Sequence, residues 1–228
     1  MELLDPKLYR WIWLGEPIGI DDLIYYMFGG KNKNLPMQKK YRLIGIGVDY
    51  GQQNATTYLP FGLNEDKKKL EGLTEYYYSG RDTGKEKSPS EYAVDFETMV
   101  DQLHKEYQCS LFYVFIDPSA KGLAEEIKRR MRGKPYQIIL KDAENSVALG
   151  ISRVQKALIY DVIQISPKQT NLIREFGTYE YEKKSIEKGK EVPVKVDDHC
   201  MDALRYLVMG LWKKIKYFLP ISERGEEK

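Results

Sequence analysis

Apolar residues in the first third of the chain occur as alternations and short runs, which are typical of β-strands. Strands are predicted at residues 43–50, 54–60 and 73–79, with a charged turn at 64–71 between the last two. An aromatic-rich lead-in precedes them and ends at a Gly-Gly pair followed by a Lys/Asn loop. Unpacked aromatic side chains would face water, so we expect this lead-in to pack against the rest of the molecule.

From Ser90 onward the pattern changes to an alternation of helices and strands. A helix with Ser90 as its N-cap precedes the apolar run Leu111–Ile116, which is typical of a central strand covered on both faces. The later predictions are helices at 121–132, 146–160, 168–176 and 198–214, strands at 137–140 and 162–165, and a β-hairpin at 178–196. This order predicts an α/β fold with a mixed central sheet flanked by helices and a β-hairpin before the last helix.

Composition agrees with a globular protein. The 228 residues, of which 42% are hydrophobic and 31% charged, suffice for one large domain, or one domain with an arm. No apolar run approaches the roughly 20 residues that cross a bilayer, and the first ten residues lack an export signal, so neither membrane insertion nor secretion is expected. The two cysteines, Cys109 and Cys200, lack partners at zinc-ligand spacing and predict a reduced, intracellular protein.

The first acid of interest is Asp49, at the end of a predicted strand. Alternation places it on the same face as Gly45 and Gly47, opposite the apolar residues of that strand. Glycines on that face allow another backbone to approach closely and leave the carboxylate unobstructed. The alternative is that Asp49 only begins the turn at Tyr50-Gly51.

Asp117 follows the apolar run directly, and Pro118 ends that strand. Sites in α/β sheets are commonly assembled at the carboxyl ends of central strands. The alternative is a capping role, in which Asp117 or Ser119 begins the next helix.

The third acid, Asp202, lies one turn inside the last predicted helix, with His199 three residues before it on the same face. Asp197 or Asp198 is expected to be the N-cap of that helix. The helix also carries a buried stripe at helical spacing, made of Cys200, Leu204, Leu207 and Leu211.

Three carboxylates in one place need a counter-charge. Two of them about 4 Å apart would repel by roughly 4 kcal/mol at an effective dielectric constant near 20. Divalent cations that prefer oxygen ligands, such as Mg²⁺ and Mn²⁺, reverse this effect, and two such ions can promote in-line displacement at phosphorus. The sequence alone leaves open whether the three acids converge.

Three ordered motifs carry a family resemblance. They are Ile-Gly-Val-Asp-Tyr-Gly at 46–51, Phe-Ile-Asp-Pro-Ser at 115–119 and Asp-His-Cys-Met-Asp-Ala-Leu-Arg-Tyr at 198–206. Together they resemble the C-terminal nuclease domain of the large terminase subunit of tailed bacteriophages, which has a ribonuclease-H-like fold. The resemblance implies a DNA endonuclease with Asp49, Asp117 and Asp202 as ligands of two Mg²⁺ or Mn²⁺ ions, and with His199 as an auxiliary catalytic group.

The same resemblance implies a biological setting. Double-stranded concatemeric viral DNA would be the substrate during packaging, with the portal protein and the small terminase subunit as partners, in the host bacterial cytoplasm at the procapsid portal. No phosphate-binding GxxxxGK[ST] loop occurs, so the ATPase motor of that family is not expected in this chain. We expect residues 1–40 to be an arm or linker remnant, 41–216 the nuclease domain and 217–228 a polar tail.

Basic residues suggest where DNA would bind. Lysines of the predicted hairpin lie just before the Asp202 helix, and Arg153 is a further candidate to contact phosphate. The hairpin residues are Lys183, Lys184, Lys188, Lys190 and Lys195. A solvated hairpin that contacts no DNA is the alternative.

Three other functions compete with a terminase nuclease. The first is a junction resolvase or transposase on the same fold, and a preference for branched DNA would indicate a resolvase. An actin-like ATP-binding domain would need a second Asp-x-Gly phosphate loop later in the chain, and the one further Asp-x-Gly, Asp82-Thr83-Gly84, lies in the polar segment just after the third predicted strand. A nonenzymatic portal-binding module would have no reason to keep all three aspartates.

Overall fold

A mixed seven-stranded sheet lies at the centre of the structure, a computed structural model that describes residues 23–51, 54–182 and 191–224. Its strands are β1 (Ile44–Asp49), β2 (Ala55–Asn64), β3 (Lys69–Gly72), β4 (Tyr76–Ser79), β5 (Leu111–Ile116), β6 (Gln137–Asp142) and β7 (Ile163–Gln164). The order is β6-β5-β1-β2-β3-β7, and β4 pairs with the first half of β2. β1 runs parallel to β5 and antiparallel to β2, so the sheet is mixed at its centre.

Helices cover both faces of this sheet. They are α1 (Gly80–Thr83), α2 (Pro89–Tyr107), α3 (Lys121–Arg130), α4 (Val147–Ile159), α5 (Thr170–Phe176) and α6 (His199–Ile215). Ile44, Ile46 and Val48 point into a core formed with α2 and α3. The opposite core contains α4, α5 and α6, and the predicted stripe of α6 is buried there. The predicted α/β fold with a mixed, helix-flanked sheet is therefore confirmed.

Two local predictions were wrong. The segment expected as a charged turn contains β3, because Leu70 is fully buried and the buried Glu71 accepts hydrogen bonds from Tyr41 and Asn64. Buried, fully bonded acids of this kind look like solvent-exposed residues in a sequence. The N-cap of α2 is Ser88 rather than Ser90, since Ser88 and Glu91 form a reciprocal capping box around Pro89.

The hairpin is described only at its base. The backbone N–H of Glu182 donates to Val192 (2.8 Å) and that of Val194 donates to Glu180 (2.9 Å), so the chain pairs with itself antiparallel there. Residues 183–190, and with them Lys183, Lys184, Lys188 and Lys190, lie outside the described residues.

The described part of the lead-in packs on α5. Tyr25 and Phe28 are buried, and the ring of Phe28 stacks on Phe176 with centroids 4.0 Å apart. The earlier residues of the expected arm, 1–22, and the last four of the expected tail lie outside the description. Within the described ranges, no helix has the length and apolar character needed to cross a bilayer.

The packing of α6 on β1 depends on two glycines. A Cβ atom added at Gly47 would lie 1.9 Å from the carbonyl oxygen of Ala203, and one at Gly45 would lie 2.6 Å from Leu207 Cδ1. No side chain fits at Gly47 without moving the helix, whereas at Gly45 the ends of the Leu207 and Leu211 side chains would have to shift. The predicted close backbone approach is thus present, and it brings the first turn of α6 to the end of β1, where Asp49 lies.

Candidate active site

Asp49 and Asp117 lie at the same end of the sheet, where the parallel strands β1 and β5 reach their carboxyl ends. Val48 pairs with Ile116 in the parallel register of β1 and β5, so the two aspartates directly follow paired residues on neighbouring strands. Adjacent strands are about 4.8 Å apart. The two acids that the sequence suggested for the carboxyl ends of central strands therefore neighbour each other.

Helix α6 adds a histidine to this edge. Nδ1 of His199 lies 2.9 Å from Oδ2 of Asp49, and both side chains are mostly buried. Burial raises the pKa of Asp49, and the negative charges of Asp202 and Asp198 raise it further, against the hydrogen bond with His199. Burial alone would lower the pKa of His199, but the bond to Asp49 and its charge outweigh burial and raise it. Asp49 is therefore a buried acid near two further carboxylates, with the imidazole of His199 as its hydrogen-bond partner.

Asp202, on the next turn of α6, is held by two cations. Nη2 of the buried Arg205 donates to Oδ1 (2.7 Å), and Nζ of Lys195 donates to Oδ2 (3.2 Å). Lys195 also lies 3.1 Å from Oδ2 of Asp198. One ammonium group at the end of the hairpin thus bridges two carboxylates at the start of α6.

Among the described residues, Ser119, Tyr206 and Asn145 donate hydrogen bonds to Asp117. The backbone N–H of Ser119 donates to Oδ1 (2.7 Å), while Tyr206 (3.0 Å) and Asn145 (3.2 Å) donate to Oδ2. Burial alone would raise the pKa of Asp117, but these bonds outweigh it and the pKa lies below its ordinary value. Asp117 does not cap α3, whose N-cap residue is Ala120.

Tyr206 of α6 interacts with all three aspartates, by a hydrogen bond or through their charges. Its hydroxyl bonds to Asp117, and besides burial, the charges of Asp202, Asp49 and Asp117 each raise its pKa. Of the three carboxylates, Asp117 is the one that accepts a hydrogen bond from this hydroxyl, while Asp49 and Asp202 act on it through their charges. The candidate site is therefore a single negative region at the end of the sheet, closed on one side by α6.

The donor chemistry of this region suits a hard divalent cation. The available ligand atoms are carboxylate oxygens, because burial raises the pKa of Cys200 and keeps it a thiol packed against Thr57. The atoms are not arranged as a finished coordination shell. Among the described residues, no group of three or more His, Cys, Asp or Glu side chains is close enough to hold one ion. Lysine, arginine and tyrosine groups engage the carboxylates instead.

The structure separates Arg153 from this region. Its guanidinium lies over the ring of Trp212 (4.9 Å to the centroid), and Nη1 lies 3.1 Å from the sulfur of Met209, two turns along α6 from Asp202. The contacts of Arg153 are therefore with the packing between α4 and α6.

Some residues of the region were missed from the sequence. Tyr206 and Arg205 lay within the third motif but had no role assigned to them. Asn145 precedes α4 and gives no signal in the sequence. Asp198 is the N-cap residue of α6, as expected, but its side chain makes no capping hydrogen bond.

Comparison with known proteins identifies the family. The terminase RNAseH like domain model matches residues 49–209. No curated protein matches the chain. Among solved structures, the large terminase of a thermophilic bacteriophage, in complex with ATP-gamma-S, is 31% identical, with a TM-score of 0.70 over 83% of this chain and 46% of that chain. This chain therefore spans less than half of that terminase.

Two isolated nuclease domains share the fold over most of their length. The P22 large terminase nuclease domain is 14% identical, with a TM-score of 0.61 over 82% of this chain and 91% of that chain. The g2p (large terminase) nuclease domain of bacteriophage SPP1, solved with bound Mn, is 21% identical, with a TM-score of 0.51 over 77% of this chain and 93% of that chain. The family match confirms the resemblance drawn from the three motifs over the resolvase and actin-like alternatives, and the chain belongs to the terminase ribonuclease-H-like domain family.

Proposed function

We propose that this chain is a divalent-metal-dependent endonuclease that cuts double-stranded concatemeric viral DNA during genome packaging. The observation that carries the proposal is that His199 and Tyr206 of α6 bond to Asp49 and Asp117 at the ends of the neighbouring strands β1 and β5. Structural relatives in the same family are nuclease domains, and one was solved with Mn. From its membership of the terminase family, we infer that the chain acts in the host bacterial cytoplasm at the procapsid portal, with the portal protein and the small terminase subunit as partners.

Asp49, Asp117 and Asp202 would hold two Mg²⁺ or Mn²⁺ ions. When bound, such ions lower the pKa of an attacking water and stabilise the leaving oxygen of a phosphodiester. The chain supplies the orientation. Tyr206 and the Ser119 amide fix Asp117, and Arg205 fixes one oxygen of Asp202. His199, already bonded to Asp49, is placed to hold or accept a proton beside that carboxylate.

DNA binding is assigned to the hairpin next to the site. At the base of the hairpin, Lys195 bonds to Asp202 of the site. The same segment of sequence contains Lys183, Lys184, Lys188 and Lys190. Neutralising phosphates with these lysines would make binding weaken with salt. Replacing the four with glutamine should flatten that dependence, and an unchanged salt titration would count against the assignment. Arg153 is a weaker candidate for binding DNA phosphates, because its guanidinium group already lies over the ring of Trp212.

The test of the proposed function is removal of ligand charge. Asp49→Asn and Asp202→Asn should each abolish Mn²⁺- or Mg²⁺-dependent cleavage of plasmid DNA while leaving the circular dichroism spectrum unchanged. Asp101→Asn is the matched control, because Asp101 bonds to Tyr136 and Lys134 on the opposite side of the sheet. Full activity in either site variant would refute the proposal.

A further inference from the structure

Glu175, the penultimate residue of α5, is a fully buried acid. Its Oε2 accepts hydrogen bonds from the backbone N–H groups of Cys200 (2.7 Å) and Met201 (3.1 Å) in the first turn of α6. Both amides belong to the four that a helix leaves without internal partners at its start. Glu175 therefore caps α6 from a different helix.

This arrangement replaces the ordinary local cap. Asp198 is the N-cap residue of α6, and aspartate commonly accepts a bond from the helix amides at this position. Here its side chain makes no such bond, and its carboxylate lies 3.1 Å from Lys195 and adds to the negative charge around Asp49. Because Glu175 takes the amides, Asp198 is available to the site.

Glu175 is itself held in place by a second cap of the same kind. Glu75, between β3 and β4, accepts from the backbone N–H groups of Asn171 (2.7 Å) and Leu172 (3.1 Å) at the start of α5. The sheet thus fixes the start of α5, and the end of α5 fixes the start of α6. Cys200 and Met201 lie between His199 and Asp202, so a displacement of their amides displaces both site residues.

We propose that Glu175 is a positioning residue of the active site, which sets His199 and Asp202 by capping α6 and frees the carboxylate of Asp198. This inference rests on the proposed nuclease function. Glu175 touches neither substrate nor metal, and it acts through the backbone of the first turn. Residues that orient metal ligands typically change metal affinity or activity about 10- to 100-fold when replaced.

The experiment compares three variants of the whole chain with the wild-type protein. Glu175→Leu removes the acceptor, Glu175→Asp withdraws it by one methylene, and Glu175→Gln keeps an oxygen of the same reach. Val100→Ala is the matched control, because Val100 is fully buried in the core on the other face of the sheet. Mn²⁺ binding to the metal-free proteins is measured by calorimetry, and amide exchange at Cys200 and Met201 by NMR or mass spectrometry.

Glu175→Leu and Glu175→Asp should weaken Mn²⁺ binding about 10- to 100-fold and speed exchange of the two amides. Glu175→Gln should stay within a few-fold of wild type, and Val100→Ala should lower thermal stability without changing Mn²⁺ affinity. If Glu175→Leu does not fold, the Mn²⁺ affinity and amide exchange of Glu175→Asp test the inference. Mn²⁺ affinity in the Glu175 variants equal to that of Val100→Ala would overturn the inference. Absence of DNA cleavage by the wild-type protein would instead refute the proposed function.

Discussion

The carbonyl oxygen of Ala203 in α6 lies directly over the α-carbon of Gly47 in β1, in space that the smallest side chain would occupy. The contact joins the strand that ends in Asp49 to the helix turn that carries Asp202. The relative position of these two acids therefore depends on backbone-to-backbone packing.

Gly47→Ala should separate α6 from β1. The added methyl would lie 1.9 Å from the Ala203 carbonyl oxygen, a backbone atom that moves only with the helix. Overpacking of this kind costs about 1–3 kcal/mol and sometimes more. We expect a lower midpoint in urea unfolding and loss of cleavage. Gly122→Ala in α3 is the control, because its new methyl would meet nothing closer than 3.8 Å and should not destabilise the fold. Equal stability and activity of the two variants would contradict the role of this contact.

Tyr206→Phe should reduce activity by releasing Asp117. A hydrogen bond to a charged group contributes about 1.5–3 kcal/mol. Without the hydroxyl, Asp117 keeps only the bonds from Ser119 and Asn145. Cleavage rates at saturating Mn²⁺ should fall.

Tyr136→Phe is the control for this variant, since Tyr136 also donates to an aspartate, Asp101, away from the site. It should lower stability without lowering the cleavage rate. Parallel losses of rate in both variants would show that the Tyr206 hydroxyl has no special role.

Lys195→Met should increase metal affinity. In the metal-free protein the ammonium group is bound to Asp198 and Asp202, so a cation that binds these acids competes with it. Lys195 is largely exposed and such pairs contribute about 1 kcal/mol or less, which corresponds to roughly five-fold in affinity at most. Calorimetry with Mn²⁺ in the absence of DNA measures this. Lys134→Met, which removes an ion pair with Glu97 and Asp101, should leave Mn²⁺ affinity unchanged. Weaker Mn²⁺ binding by Lys195→Met would contradict the competition.

Stability should depend on pH through Glu175. Burial raises the pKa of Glu175 to about 8 from its ordinary value of 4.5, so the folded protein binds a proton that the unfolded chain releases in this range. The contribution of protonated Glu175 to the free energy of unfolding is fully present below pH 4.5 and is lost as the pH rises through 8. One pKa unit corresponds to about 1.4 kcal/mol, so the effect amounts to a few kcal/mol.

The Glu175→Gln variant has no such titration. The free energy of unfolding of the wild type should therefore fall relative to this variant between about pH 5 and pH 8.5, as measured by urea titration. Parallel curves for the two proteins would show that Glu175 is ionised in the folded state throughout.

The parts of the site that follow periodic patterns could be predicted from the sequence. Alternation placed Asp49 beside Gly45 and Gly47, and helical spacing indicated the buried stripe of α6. No pattern could predict which distant groups satisfy a buried acid. Glu71 and Glu175 both look like surface residues until Tyr41, or the amides of α6, are seen to lie beside them. For the same reason, the capping role expected of Asp198 is one that Glu175 performs.

The bond between Asp49 and His199 spans 150 residues of chain. A ribosome therefore completes all seven described strands of the sheet before it delivers the helix that brings the histidine, Asp202 and Tyr206 to it. During synthesis, the strand-borne acids exist for most of that time without these partners. Under the proposed function, the site would therefore be complete only once this helix docks on the finished sheet.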